Sequence, residues 1–365
     1  MSKPRRVRNG IVIGCVTALA VFGIAACGGS STESSSSGSS SASKDGGDVN
    51  VTMTSFPDYI DPQLSYTLEG WEVLWNVYTP LLTYKHSKGD DGTQVVPGLA
   101  KDMPQISDDG KTYKLTLRPN MKYSDGTPIK ASDFTYAIKR LFKADSGGSV
   151  FFEGIVGAKD FADDKAPEIS GIQADDNTGD ITIQLEGANG TFNNVLGLMF
   201  AAPVSPKTPL DKDSTNTPPP ASGPFMISKV DAPQSLTMVR NPQFQTVKDA
   251  GASEVADAHV DTITVTQNKS NSAQVTGVMQ NTIDFMADPP DADRLAEVKA
   301  KFSDRFRLET SINTYYFFMN NKTAPFNDIR VRQAINYAID PEAINRIFGG
   351  RMHPTQQILD RKSVV

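Results

Sequence analysis

The run Leu117-Arg118-Pro119-Asn120-Met121-Lys122-Tyr123-Ser124-Asp125-Gly126-Thr127-Pro128 decides the fold, because it joins a strand pattern to a helix pattern. Upstream, Ser107-Asp108-Asp109-Gly110 is a turn signal. After it Tyr113, Leu115 and Leu117 alternate with Lys114, Thr116 and Arg118, as in a strand with one wet face. Downstream, Ser124–Pro128 is a second turn. Ser132 is the predicted N-cap of a helix whose apolar side is Phe134, Ile138, Leu141 and Phe142.

The same two periods recur outward. Val49, Val51 and Met53 alternate, and Asp61-Pro62 punctuates. Trp71, Leu74, Trp75 and Tyr78 then fall on one face of a helix ending before Pro80. Ile181–Leu185 and Ile263–Val265 predict further strands. Pro218-Pro219-Pro220 and Ser222-Gly223-Pro224 break the chain. Near the end, Asn327 or Asp328 caps a helix with Val331, Ala334, Ile335, Ala338 and Ile339 inward. Asp340-Pro341 opens another with Ile344, Ile347 and Phe348 on its face, and Gly349 stops it. Strands and helices alternate without a repeat, so the class is mixed α/β.

The chain has 365 residues, 36 basic and 42 acidic, for a net charge of −6. The first 26 residues hold four of the positives and no acid, so their removal leaves 32 against 42, a net charge of −10. Such acidity excludes a nucleic-acid binder, which needs clustered Lys and Arg, and a surface adhering to anionic lipid. Cores split above about 250–300 residues, so two lobes are expected.

The N-terminus reads as a secretory signal over residues 1–26, a basic start followed by the apolar run Ile11–Ala26. Ile24-Ala25-Ala26-Cys27 looks like a bacterial lipobox, with Cys27 the lipidated residue. Once the signal, which contains Cys15, is removed, no thiol is left for a disulfide or a metal. Residues 27–48 form a tether. Ser30–Ser43 has ten serines in fourteen residues, too little apolar surface to offset the entropy of ordering. The expected location is extracytoplasmic, anchored by lipid to the outer face of the cell membrane.

Catalytic patterns are absent: no glycine-rich phosphate loop, no His-Glu-x-x-His, no Gly-x-Ser-x-Gly. His86, His259 and His353 share no ligand spacing. Asp288, Asp291 and Asp293 lack the central Gly and distal Glu of a calcium loop and read as a solvated helix start. No cofactor, metal or enzymatic activity is expected.

Taken in order, these segments resemble the extracellular solute-binding protein family that serves ABC importers of peptides, dipeptides and nickel, over about residues 49–359. The resemblance is carried by Val96-Pro97-Gly98-Leu99-Ala100, Ser107–Tyr113, Leu117–Pro128 and Ala131-Ser132-Asp133. It continues in Gly223-Pro224-Phe225, Arg240-Asn241-Pro242, Val260-Asp261, Tyr315–Asn320 and Pro325–Ile335. Gln280-Asn281-Thr282-Ile283-Asp284 departs from the family's usual Gly-Glu turn. The resemblance implies a type II periplasmic-binding-protein-like α/β fold with two lobes and mixed sheets. It places lobe I at 49–84 and 201–308, an inserted subdomain at 85–200 and lobe II from 309, incomplete at 365. About fifty residues follow the hinge, and the chain is expected to be cut short.

The implied role is capture of an oligopeptide, dipeptide or similar small solute for ABC permease subunits, by a monomer. Aromatic side chains with polar tips suit such a cleft. Phe56, Tyr66, Trp71 and, on a predicted hinge strand, Tyr315 are the candidate ligand contacts. A sensory or adhesive lipoprotein on the same fold, or a cell-surface hydrolase, are the alternatives.

Overall fold

The structure, a computed structural model, describes residues 45–307 and 315–355, all within one compact unit, Lys44–Val365. The signal, Cys27, the serine run and the tail from 356 lie outside the described residues. The chain runs through β1 (Asp48–Met53), α1 (Leu68–Leu74), β2 (Leu82–Tyr84), β3 (Val95–Pro97), β4 (Gln105–Ile106), β5 (Thr112–Thr116) and α2 (Ala131–Lys143). It continues with α3 (Ala158–Ala162), β6 (Ile172–Ala174), β7 (Asp180–Gln184), α4 (Phe192–Leu196), β8 (Phe225–Asp231), β9 (Ser235–Arg240) and α5 (Phe244–Asp249). Then come β10 (Thr262–Gln267), α6 (Asn271–Met279), β11 (Phe285–Met286), α7 (Ala292–Lys301), α8 (Ile329–Ala338) and α9 (Pro341–Ile347).

One sheet has the order β11-β1-β10-β9-β8, with β1 parallel to both β10 and β11 and the remaining pairs antiparallel. The connection from β10 through α6 to β11 crosses over β1, as a parallel pairing requires. The carboxyl ends of β1, β10 and β11 therefore emerge at one edge. The second sheet, β4-β5-β7-β6, is antiparallel, and β2 pairs with β3 alone. Tyr113, Leu115, Ile181 and Ile183 face one apolar core together with Phe134, Ile138 and Leu141 of α2. Met53, Leu236, Met238 and Val265 face another with Val73, Leu74 and Tyr78. The turns quoted from the sequence form as their residues dictate: Gly110 and Gly126 take φ of 67° and 82°, which only glycine adopts freely.

Four local expectations are corrected. Helix α1 ends at Leu74, because Asn76 and Val77 donate to Val73 and Leu74, tighter i to i+3 turns that carry the chain to Tyr78. The N-cap of α2 is Lys130, not Ser132. Asp133 reaches back to accept from the Lys130 N–H at 2.9 Å, while Ser132 donates to Asp176 from its N–H and its hydroxyl. Asp133 is buried and also accepts from the Tyr123 hydroxyl. Burial, only partly offset by these donors, pushes its carboxyl up to about 6.

Helices α8 and α9 form with the predicted caps, Asp328 and Asp340, but the faces expected inward are not buried. Val331, Ile335, Ile339 and Ile344 are half-buried, Ala334 and Ala338 exposed, and Ile347 is 74 % exposed. Tyr315–Asn320 is irregular rather than a strand.

The deepest interaction is ionic. Arg140 of α2 and Asp61 are both fully buried and paired in a two-pronged contact, Nη1 to Oδ1 at 2.8 Å and Nη2 to Oδ2 at 2.7 Å. The remaining guanidinium protons go to Gln63 Oε1 and to the carbonyls of Pro209 and Lys212. The Ser214 N–H caps Asp61 in turn. A buried charge persists only when paired and hydrogen-bonded in this way. Arg140→Met should therefore strand the Asp61 carboxylate and lower unfolding free energy by about 3–5 kcal/mol in urea titrations. A loss under about 1 kcal/mol would show that the pair is not holding the fold.

Candidate functional site

In open α/β sheets, ligands sit outside the carboxyl ends of the strands. Here that edge is built by the segment leaving β1, by Asn268–Ser270 after β10 and by Ala287–Asp291 after β11. The segments are stitched together: the Thr54 N–H donates to Asp288, the Asn268 N–H to the Met53 carbonyl, and Gln267 Nε2 to the Thr54 carbonyl. Buried Gln274 of α6 accepts from the Thr52 hydroxyl and donates to the Asn268 carbonyl.

Asp58 organises the loop from β1 to α1. It accepts from Ser65 Oγ at 2.7 Å, the Tyr66 N–H at 2.8 Å and Thr67 Oγ1 at 3.0 Å. Burial raises its carboxyl, but these donors outweigh burial and hold it below the usual carboxylate range. Gly70 permits the close approach of α1, since a Cβ there would lie 1.9 Å from Ser65 Oγ. The Trp71 indole then donates to the Ser65 carbonyl at 2.7 Å.

The result is an aromatic shelf. Phe200 is fully buried and forms its floor. Tyr66 and Phe151 lie over it with centroids 5.5 and 6.2 Å from Phe200, and they stack on each other at 6.5 Å with 22° between planes. Trp71 meets Phe200 edge-on at 5.4 Å. Tyr66 is 54 % exposed and Phe151 38 %, and Leu68 and Val150 are exposed as well. Rings held this way offer contact area with little rotamer entropy left to lose.

Of the four residues named from the sequence, Tyr66 and Trp71 come together through Phe200. Phe56 is half-buried and packs with Met53 and Ile60 on the core under the parallel strands. Tyr315 is 82 % exposed and makes no ring contact with the other three among the described residues. Phe151, Phe200, Leu68 and Gln63 were missed. Phe151 follows a Gly-Gly-Ser turn and Phe200 lies in an apolar run, neither with a periodic signal of exposure.

Chemistry beyond contact is sparse. Among the described residues no three His, Cys, Asp or Glu side chains cluster as a metal site. His86 is pushed down by burial, and His259 contacts Asp45 at 3.1 Å on the surface. An open cavity of about 360 Å³ is lined by Phe142, Asp145, Ser149, Glu153, Lys159 and Asp163. At the carboxyl edge, Glu72 of α1 is the perturbed group. Partial burial, then the charges of Asp288 and Glu69, push its carboxyl up to about 7.

A family model described as "Bacterial extracellular solute-binding proteins, family 5 Middle" matches residues 94–363. The chain is similar to the periplasmic oligopeptide-binding protein OppA of Salmonella typhimurium, 27 % identical over 258 residues, 68 % of this chain and 45 % of that one. It is also similar to the dipeptide-binding protein DppE of Bacillus subtilis, 28 % identical over 303 residues, 79 % of this chain and 51 % of that one. The crystal structure of Haemophilus influenzae OppA in complex with RPPGFSPFR superposes with a TM-score of 0.69 at 19 % identity, covering 83 % of this chain and 58 % of that one. The chain spans about half the length of the curated relatives it matches. The fold is that of type II periplasmic binding proteins, with mixed sheets.

The raised Glu72 carboxyl has a definite sign. Its folded value, about 7, exceeds the ordinary 4.5, so between those limits the folded protein holds the proton more tightly than the unfolded chain. Stability therefore falls as pH rises through that window. Thermal melts from pH 4.5 to 8 should show Glu72→Gln with a shallower decline than the parent and a higher midpoint at pH 8. Parallel curves would contradict the assignment.

Proposed function

Because the chain belongs to the bacterial extracellular solute-binding proteins of family 5, a family of binders rather than enzymes, we propose that it captures a peptide or similar small polar solute outside the cell for an ABC permease. The observation that carries this reading is the half-exposed shelf of Tyr66 and Phe151 over buried Phe200, beside the carboxyl edge of three parallel strands. The relatives described as oligopeptide- and dipeptide-binding proteins support the solute class.

The mechanism is capture rather than chemistry. A solute side chain lies on Tyr66 and Phe151, and Trp71 and Phe200 keep the shelf rigid. Residues 49–84 and 201–308 act as the first lobe, 85–200 as an insertion and the segment from 309, with Tyr315, as the opposite side. A solute touching both lobes favours the closed form by its differential contacts, and the permease recognises that form. Cys27, lipidated, anchors the protein through the serine tether to the outer face of the membrane.

Fluorescence anisotropy of a labelled alanine pentapeptide with a central phenylalanine tests the site. The full chain should bind it, and Tyr66→Ala should weaken binding about tenfold, the scale of one lost aromatic contact, with an unchanged melting temperature. Absence of binding by folded protein to that peptide and to a mixed peptide pool would overturn the reading.

A further inference from the structure

We propose that Gln63 is the positioning residue of the aromatic shelf, setting which side chains the shelf accepts without touching the solute. This rests on the reading of the shelf as the solute site. Gln63 is fully buried, and each of its polar atoms is engaged. Its N–H donates to Asp61 Oδ1 at 3.1 Å and its Oε1 accepts from Arg140 Nη1 at 2.7 Å. Its Nε2 donates to the carbonyls of Ala202 at 3.0 Å and Phe200 at 3.4 Å, and its own carbonyl accepts from Ser146 Oγ.

These partners lead to the rings. The Phe200 carbonyl lies on the main chain of the residue that carries the floor ring. Ser146 accepts from the Gly148 N–H and caps the single helical turn Gly147–Phe151, which ends on the second ring. That turn presses on the shelf: a Cβ on Gly147 would lie 3.3 Å from the Tyr66 ring, and one on Gly148 only 2.6 Å from the Phe200 ring. Gln63 itself stands three residues before Tyr66, in the loop whose Ser65 carbonyl holds the Trp71 indole. The side-chain amide thus holds the backbone that carries Phe200, the floor on which Tyr66 and Phe151 both lie, while the Gln63 main-chain carbonyl holds Ser146 at the start of the turn that carries Phe151.

The position needs a donor and an acceptor on one uncharged group. Methionine fills a similar volume but supplies no N–H and only a weak acceptor. Gln63→Met therefore frees the Phe200 and Ala202 carbonyls and one Arg140 proton while the Asp61–Arg140 pair stays intact. The rings lose their fixed spacing, and the gain from stacking a solute ring goes with it.

The test is a double-mutant cycle on the full chain with two labelled pentapeptides, the phenylalanine-centred one and its all-alanine counterpart. Gln63→Met should reduce the preference for phenylalanine about fivefold and leave affinity for the alanine peptide unchanged. In a Tyr66→Ala background the same change should cost clearly less, because Gln63 acts through the ring stack that Tyr66 completes on Phe200. Additive losses, or equal losses for both peptides, would overturn the positioning role. A phenylalanine preference that survives Tyr66→Ala would instead overturn the site reading. A readout without ligand decides the matter if neither peptide binds. Trp71 and Trp75 are the two tryptophans, so in Trp75→Phe protein the emission reports Trp71. Gln63→Met should red-shift that emission and raise its quenching by acrylamide, and unchanged emission would overturn the proposal.

Discussion

The aromatic shelf hangs from one buried ion pair. Arg140 and Asp61 have no exposed surface, and removing two charges from water costs several kcal/mol per ion unless every proton and lone pair finds a partner. The partners come from three separate stretches of chain: the loop after β1, helix α2, and the irregular segment Pro209–Ser214. No one stretch can shift without breaking hydrogen bonds made by the other two. The pair's net contribution to stability is small by this logic. Its effect is to define one geometry.

That geometry passes outward through short links. Asp61 and Gln63 fix the loop, Asp58 gathers Ser65, Tyr66 and Thr67, and the Trp71 indole closes on Ser65. Each step is a local hydrogen bond, and together they carry the order of a buried charge to half-exposed rings. The carboxyl edge of the sheet is set separately, by the parallel pairing of β1 with β10 and β11. The two constructions meet at α1. Trp71 packs on both apolar cores, and Glu72, next along the helix, feels the charge of Asp288 beyond β11.

Much of this was legible in the sequence, for reasons that also mark the limit. Alternation in Val49–Met53, Tyr113–Leu117 and Ile181–Leu185 reports one buried face directly, and β1, β5 and β7 stand there. Asp328 and Asp340 read as caps because a cap is a local hydrogen bond. Ser132 misled because Asp133 at the third helical position competed successfully for the Lys130 N–H. The apolar stripes of α8 and α9 were seen correctly, but periodicity says which face is apolar and not whether anything covers it. Arg140 on a helix reads as a solvent-facing charge, and its partner lies 79 residues away with no local trace. Tyr66 and Trp71 are named from the sequence by residue type and place. Phe151 and Phe200 join them only through tertiary packing.

The proposed contact is between a peptide-like solute and the Tyr66–Phe151 shelf. The direct measurement is photo-crosslinking with a pentapeptide carrying a central benzophenone side chain, followed by peptide mapping of the adducts. Adducts should concentrate within residues 59–71 and 147–152 and be suppressed by excess unlabelled phenylalanine-centred peptide. Adducts confined to the exposed aromatic run at 315–318, with none on the shelf, would contradict it.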